Sequence, residues 1–309
     1  MVVMSKIGLI ALGSSLHDDE QLVALKRGII EALNAAGQVL VEEIDSVGRE
    51  RGSLQVILIL TGGVEQETLR VAAALEEPVI LLAHPWHNSL PAALELLACL
   101  HADGRRAAIL YGKPTELGEQ LAEQVQLADV WRKFAPARLG LLGQPSDWLV
   151  ASGVSRGRIW ELGIELIEIG MEELLARIRA LDARDFAGDL QVLKTQAHGI
   201  DEPDDAALIG ALRIYHALHG LVQEYKLDAF TIRCFDLVNE LKNTGCYALS
   251  RLNDQGITAG CEGDLQALFS MHLARAPTGA AAFMGNLARI DRLSRTVLLA
   301  HCTCLQGYT

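Results

Sequence analysis

Short apolar runs alternate with helical patterns from the start of the chain, and that rhythm admits few architectures. Lys6–Leu12, Val39–Glu43, Val56–Leu60, Val79–Ala83 and Arg106–Tyr111 are short, nearly continuous apolar stretches. Between them Asp18–Ala36 (closed by Gly37), Val64–Leu75, Ser89–Leu100 and Glu116–Phe134 carry apolar residues at helical spacing. Such strands, separated by helices, mark a parallel sheet buried on both faces, because each crossover lays a helix over the sheet. Five of them complete a doubly wound domain by residue 135. Ala135-Pro136 is the linker candidate, since proline disfavours helix at the residue before it.

The rhythm then restarts. Arg138–Leu142 reads as a strand, followed by a turn at Gly143-Gln144-Pro145-Ser146-Asp147. Leu166–Ile169 and Ala229–Cys234 read as further strands, with helices expected over Met171–Leu181, Pro203–Tyr225 and Asp264–Ala274. The acidic cluster Asp201, Glu202, Asp204 and Asp205 opens the longest of these, where negative charge suits the helix dipole. Beyond Pro277-Thr278-Gly279 the helical spacing stops, and Ala281–Leu287 and Thr296–Ala300 read as two strands. The expected organisation is α/β: two doubly wound parallel-sheet domains, 1–135 and 136–279, followed by the start of a truncated β-rich unit over 280–309.

Composition narrows the function classes. With 27 basic and 39 acidic residues the chain carries a formal charge of −12, which argues against nucleic acid and against an anionic membrane surface as partners. Half of the residues are hydrophobic and 21% are charged, a globular balance that excludes disorder. No apolar run approaches the ~18 residues of a membrane helix. Ile7–Leu12 is too short for a secretion signal and has no basic stretch before it. Six cysteines in 309 residues fit reduced thiols in the cytoplasm better than a disulfide framework.

Several strand ends carry candidate chemistry. Gly13 and Gly62-Gly63 follow strands but form neither a dinucleotide fingerprint nor a phosphate loop, so tight turns account for them. His84, His87 and Asn88 lie beyond the fourth strand, either lining a pocket or decorating a surface loop. Trp148 occupies the equivalent place in the second domain, as a platform for a sugar ring or as core. Cys261-Glu262-Gly263-Asp264 stands between a strand and a helix. Its two carboxylates, two residues apart across a glycine, can aim oxygens at a hard divalent cation; alternatively Asp264 caps the helix and leaves Glu262 free. Asn286 and His301 end the last two strands, where they can converge with Glu262. His301-Cys302-x-Cys304 lacks the usual structural zinc spacing, and most of the cysteines read as small buried hydrophobes.

These segments carry a resemblance. Arg138–Leu149, including Gly143-Gln144-Pro145-Ser146-Asp147-Trp148, resembles the start of the second domain of L-fucose isomerase-like proteins. Asn253-Asp254-Gln255-Gly256-Ile257 running into Cys261-Glu262-Gly263-Asp264 is similar to the segment shared by the L-fucose and L-arabinose isomerase superfamily. Phe283-Met284-Gly285-Asn286 and Leu298–Thr303 follow in the same order and spacing. The resemblance implies a cytoplasmic, metal-dependent aldose–ketose isomerase acting on a pentose or 6-deoxyhexose through an ene-diolate, with Mn²⁺ as the usual ion and homo-oligomers whose sites form between subunits. Carried onto this chain, it makes Glu262 a metal ligand and acid/base, with Asp264 a second catalytic candidate. Glu262, Asn286 and His301 become the metal set, and Trp148, His87 and Asn88 the contacts to a small-molecule sugar. Two departures stand out. Asn286 is neutral where the fucose branch has an acidic ligand, and the sequence stops at Thr309 where family enzymes continue into a β-rich domain. A non-catalytic carbohydrate-binding or regulatory protein, using the cleft between its domains, is the alternative.

Overall fold

The computed structural model describes residues 5–16, 19–35, 39–44, 54–135, 137–152 and 156–305. Asp18, Ala36, Gly37 and Pro136, which bear on the expected first helix and the linker, lie outside the described residues. The chain divides into two compact units, Met1–Asp129 and Val130–Thr309.

The first unit contains β1 (Ser5–Leu12), α1 (Asp19–Ala35), β2 (Val39–Glu43), β3 (Leu54–Ile59), α2 (Glu65–Ala72), β4 (Val79–Ala83), α3 (Ser89–Ala102) and β5 (Ala107–Tyr111). The helix α4 (Pro114–Phe134) follows, its last residues belonging to the second unit. The strands form one parallel sheet in the order β2-β1-β3-β4-β5. Every residue of β4 is buried, and strand alternation divides them between two cores. Val56, Leu58, Ile80 and Leu82 pack with Ile29 and Leu33 of α1 and Leu117 and Leu121 of α4. Ile57, Ile59, Val79 and Leu81 face the other way, onto Ala93, Leu96 and Leu100 of α3. Each such aliphatic side chain contributes about 1.5–3 kcal/mol on burial, which explains the run of consecutive apolar residues.

The second unit contains β6 (Arg138–Leu142), α5 (Arg156–Glu161), β7 (Glu165–Ile169) and α6 (Met171–Ala180), then a 3-10 turn at Ala183–Phe186. It continues with α7 (Ala187–Gln196), α8 (Asp205–Tyr225), β8 (Ala229–Ile232), α9 (Cys234–Leu241), α10 (Cys246–Asp254), β9 (Thr258–Cys261) and α11 (Leu265–Thr278). Its parallel sheet has the order β7-β6-β8-β9. Here too strand neighbours part. Phe230, Ile232, Ala259 and Cys261 face the core under α8 and α10, whereas Leu139, Leu141 and Ala229 face the core that holds Phe134 and Leu268. The helix α8 starts two residues later than the sequence pattern indicates, because Asp204 is its cap and accepts from the Ala207 N–H at 2.8 Å.

Both sheets protect an edge strand in the same way. In the first, the Asn34 amide on α1 accepts from Val41 N at 2.7 Å and donates to Val41 O at 3.2 Å, on β2. In the second, Asn253 on α10 accepts from Ala259 N at 3.0 Å and donates to Ala259 O at 2.8 Å, on β9. A side-chain amide thus presents the donor and acceptor that a further strand would supply.

Two strands follow α11: β10 (Asn286–Asp291) and β11 (Thr296–Ala300), an antiparallel pair. The second matches the sequence expectation, but the first begins five residues later than Ala281. The helix persists through Pro277 to Thr278, its end closed by Gly279 N–H donating to Arg275 O at 2.7 Å. Met284 then packs against the core and accepts from Cys261 N at 3.4 Å, so pairing starts only after that anchor. No described helix is long and apolar enough to cross a membrane.

Candidate functional site

In the second sheet β7 lies on one side of β6 and β8 on the other, so the chain's direction of winding reverses between β6 and β8. The carboxyl ends of strands at such a reversal are where open α/β sheets bind ligands. Three loops meet there. After β9 the backbone turns through two left-handed residues, Glu262 at φ 65° and Gly263 at φ 70°. The loop after β6 closes on them, with Ser146 N–H donating to Glu262 O at 2.9 Å, and Gly263 N–H donates to Ile232 O of β8 at 3.0 Å. The approach is close enough that only glycine fits at 263: an added Cβ would lie 2.6 Å from Gln144 O and 2.8 Å from Pro145 Cα.

Arg233, at the end of β8, ties down the same loop. Its guanidinium donates to Pro145 O at 2.8 Å, to Asp147 at 2.7 and 3.2 Å, and to Asp236 at 3.2 Å. This pairing holds the Asp147 carboxyl below the usual carboxylate range. So fixed, the loop delivers Trp148, whose indole N–H donates to Glu262 Oε2 at 2.8 Å. The indole stands edge-on to Phe235, with ring centroids 5.1 Å apart, and stays 54% exposed. A carboxylate with one oxygen held therefore sits beside an open aromatic face.

Glu262 is also grouped with Cys261 and His301: a sulfur, a carboxylate oxygen and a ring nitrogen all lie within 4.8 Å of one another. The His301 Nδ1 is 2.8 Å from the hydroxyl of buried Thr303. Burial shifts His301 toward the neutral imidazole, an effect the Glu262 charge opposes in part. The Cys261 sulfur lies 2.9 Å from that of Cys234, and burial together with this thiol contact pushes the Cys261 thiol well up. These three donors can hold a cation, a reading open to any ion that accepts sulfur, oxygen and nitrogen together.

The structure therefore brings Trp148, Glu262 and His301 into one place. Asn286 pairs with Ala300, the residue before His301, and is exposed. Asp264 has both oxygens engaged, one capping α11 through Ala267 N–H at 2.9 Å and one accepting from Ser152 Oγ at 2.9 Å. His87 and Asn88 belong to the first unit, in left-handed conformations at φ 53° and 57° before α3. There Gly62 N–H donates to His87 O at 2.9 Å, and neighbouring His84 is fully buried, its imidazole pushed down to about 4 by burial and then by the His87 charge. Sequence reading did not single out Arg233 and gave Cys261 no ligand role; its adjacency to Glu262 was the available signal.

No family model matches the sequence. Relatives exist at low identity. The chain is 23% identical over 220 residues to a sulfoquinovose isomerase of Alkalicoccus urumqiensis, which covers 70% of this chain and 49% of that protein. It is 25% identical over 201 residues to the sulfoquinovose isomerases of Priestia aryabhattai and Priestia megaterium, covering 63% of this chain and 45% of each of those. The chain thus spans about half the length of the relatives it matches.

Proposed function

We propose that this chain carries the proton-transfer centre of a sugar aldose–ketose isomerase, with Glu262 as the group that moves the proton. The observation that carries this reading is the Glu262 carboxylate at the strand ends, one oxygen fixed by the Trp148 N–H at 2.8 Å beside an exposed indole face. Interconverting an aldose and a ketose removes a proton from C2, passes through an ene-diol and returns a proton to C1, while a hydroxyl proton moves from O2 to O1. No external oxidant is needed. A carboxylate held on one oxygen keeps the other for the carbon-bound proton, and both carbons are neighbours, so one base serves both. Trp148 supplies an apolar wall for the sugar's C–H face. The relatives' shared name, sulfoquinovose isomerase, supports the reaction class.

Manganese is the cation the resemblance implies. Glu262 and His301 suit it, but the third donor in the cluster is a buried sulfur, which Mn²⁺ takes poorly. The proton transfers are therefore assigned to the chain's own groups. The homo-oligomer implied by the resemblance has support from the β10–β11 hairpin. Its register puts Leu287, Ile290, Val297 and Leu299 on one face, each 53–60% exposed, a surface suited to a second copy.

The test incubates the full chain with sulfoquinovose, pentoses and 6-deoxyhexoses in deuterium oxide and follows each sugar by NMR. The expected result is ketose formation from one of them with deuterium entering at C1 or C2, abolished by Glu262→Gln. Binding without exchange would replace this reading with a carbohydrate-binding one, and neither binding nor exchange would refute both.

A further inference from the structure

The donor set at the end of β9 is matched to a different kind of cation. Cys261, Glu262 and His301 offer one sulfur, one oxygen and one nitrogen within 4.8 Å of one another. Thiolate ligands select zinc and similar borderline metals, whereas manganese and magnesium favour carboxylate, carbonyl and water.

We propose that Cys261, Glu262 and His301 form a site for a thiophilic divalent cation of the zinc type, with three protein ligands and one open position. Three ligands and an open fourth place is the pattern of reactive zinc centres. The supporting groups fit. The Trp148 N–H fixes the direction of the Glu262 carboxylate. Thr303 N–H donates to His301 Nδ1 at 3.2 Å, and the Thr303 hydroxyl lies 2.8 Å from the same nitrogen; these contacts orient the ring, as the partners of ligating histidines do. Cys261 is buried, and its N–H is held by Met284 sulfur at 3.4 Å. On binding, the Cys261 S–H bond breaks, the sulfur's electron pair forms the metal bond and the proton leaves to solvent, with no change of oxidation state. This inference rests on the same cluster as the proposed isomerase reading, yet its test is independent of turnover.

The full chain, stripped with chelator and dialysed, is titrated with Co²⁺ as a coloured stand-in for zinc, and with Zn²⁺ by calorimetry in buffers of different ionisation heat. The expected results are a sulfur-to-cobalt charge-transfer band in the near ultraviolet and release of about one proton per Zn²⁺ at neutral pH. Cys261→Ser should remove the band and weaken Zn²⁺ binding by about 100-fold or more, the upper end of what a merely supporting group costs, while leaving Mn²⁺ binding unchanged. Cys99→Ser, on an exposed thiol of α3, is the control and should change nothing. Absence of the band in the unmodified chain overturns the proposal, whether or not the Cys261 variant folds. So does Zn²⁺ binding that Cys261→Ser leaves intact. Sulfur ligation without sugar turnover would sink the isomerase reading alone; turnover with Mn²⁺ and no sulfur band would sink this one alone.

Discussion

Replacing Gly263 with alanine adds one methyl group at the point where the loop after β6 meets the turn after β9. Two costs arise. An alanine held at φ 70° costs about 1–2 kcal/mol relative to glycine. The new Cβ would also lie 2.6 Å from Gln144 O and 2.8 Å from Pro145 Cα; both are backbone atoms, so relief requires moving the loop, at about 1–3 kcal/mol. Gly279→Ala separates the two, because Gly279 has nearly the same φ, 67°, and nothing within 4 Å of an added Cβ. Gly263→Ala should therefore destabilise the second unit by about 2 kcal/mol more than Gly279→Ala, or roughly 6 °C in melting temperature. Thermal unfolding by tryptophan fluorescence is the assay. Trp131, Trp148 and Trp160 lie in the second unit and Trp86 alone in the first, so the signal reports mainly where the change is made. If the two variants melt together, the close seating of Gln144-Pro145 on Gly263 does not exist in solution, and the fixed direction of Glu262 loses its main support.

Three further perturbations read other parts of the argument. Trp148→Phe keeps a ring against Phe235 but removes the N–H on Glu262; it should slow deuterium exchange into the sugar about tenfold, the worth of one half-exposed hydrogen bond to a charged group, and an unchanged rate would deny the indole a positioning role. Asn253→Asp keeps the acceptor for Ala259 N but loses the donor for Ala259 O and Leu249 O, so it should cost about 2–3 kcal/mol in urea unfolding. Asn34→Asp, on a half-buried residue losing one donated bond, should cost only about 1 kcal/mol. His84 titrates at about 4 when folded against the ordinary 6.5, so its neutral form is the one the fold accepts. Its contribution is intact above about pH 6.5 and fades as pH falls toward 4, by about 3 kcal/mol in all; His84→Asn should flatten that decline in pH-dependent unfolding of the first unit, and an equally steep decline in the variant would exclude His84 as its source.

What the sequence disclosed was local. The apolar runs of β3 and β4 announce a sheet buried on both faces, because consecutive residues there feed opposite cores. Glu262 and Trp148 could each be singled out as strand-end residues, but the hydrogen bond that joins them spans 114 positions and leaves no periodic trace. The two edge-capping asparagines were equally hidden, since an asparagine before a turn is an ordinary helix end until the strand beside it is known. Arg233 illustrates the same limit: a single arginine after a strand carries no message until Pro145 O, Asp147 and Asp236 are found around it.

Cys261 shows why a residue's class and its role can both be right. Its side chain belongs to the core under α8 and α10, which is what its burial and its strand position lead one to expect. It is also the last residue of β9, so the same sulfur lies at the border where the core ends and the loops begin. Strand alternation would send the next side chain to the opposite face, away from the sulfur. The left-handed turn at Glu262 breaks that alternation and brings the carboxylate back beside Cys261, with Gly263 permitting a second left-handed residue and the loop after β6 locking both. The juxtaposition of sulfur and carboxylate is thus a consequence of backbone geometry rather than of spacing. A methyl group at 263 should loosen it even though it touches neither side chain.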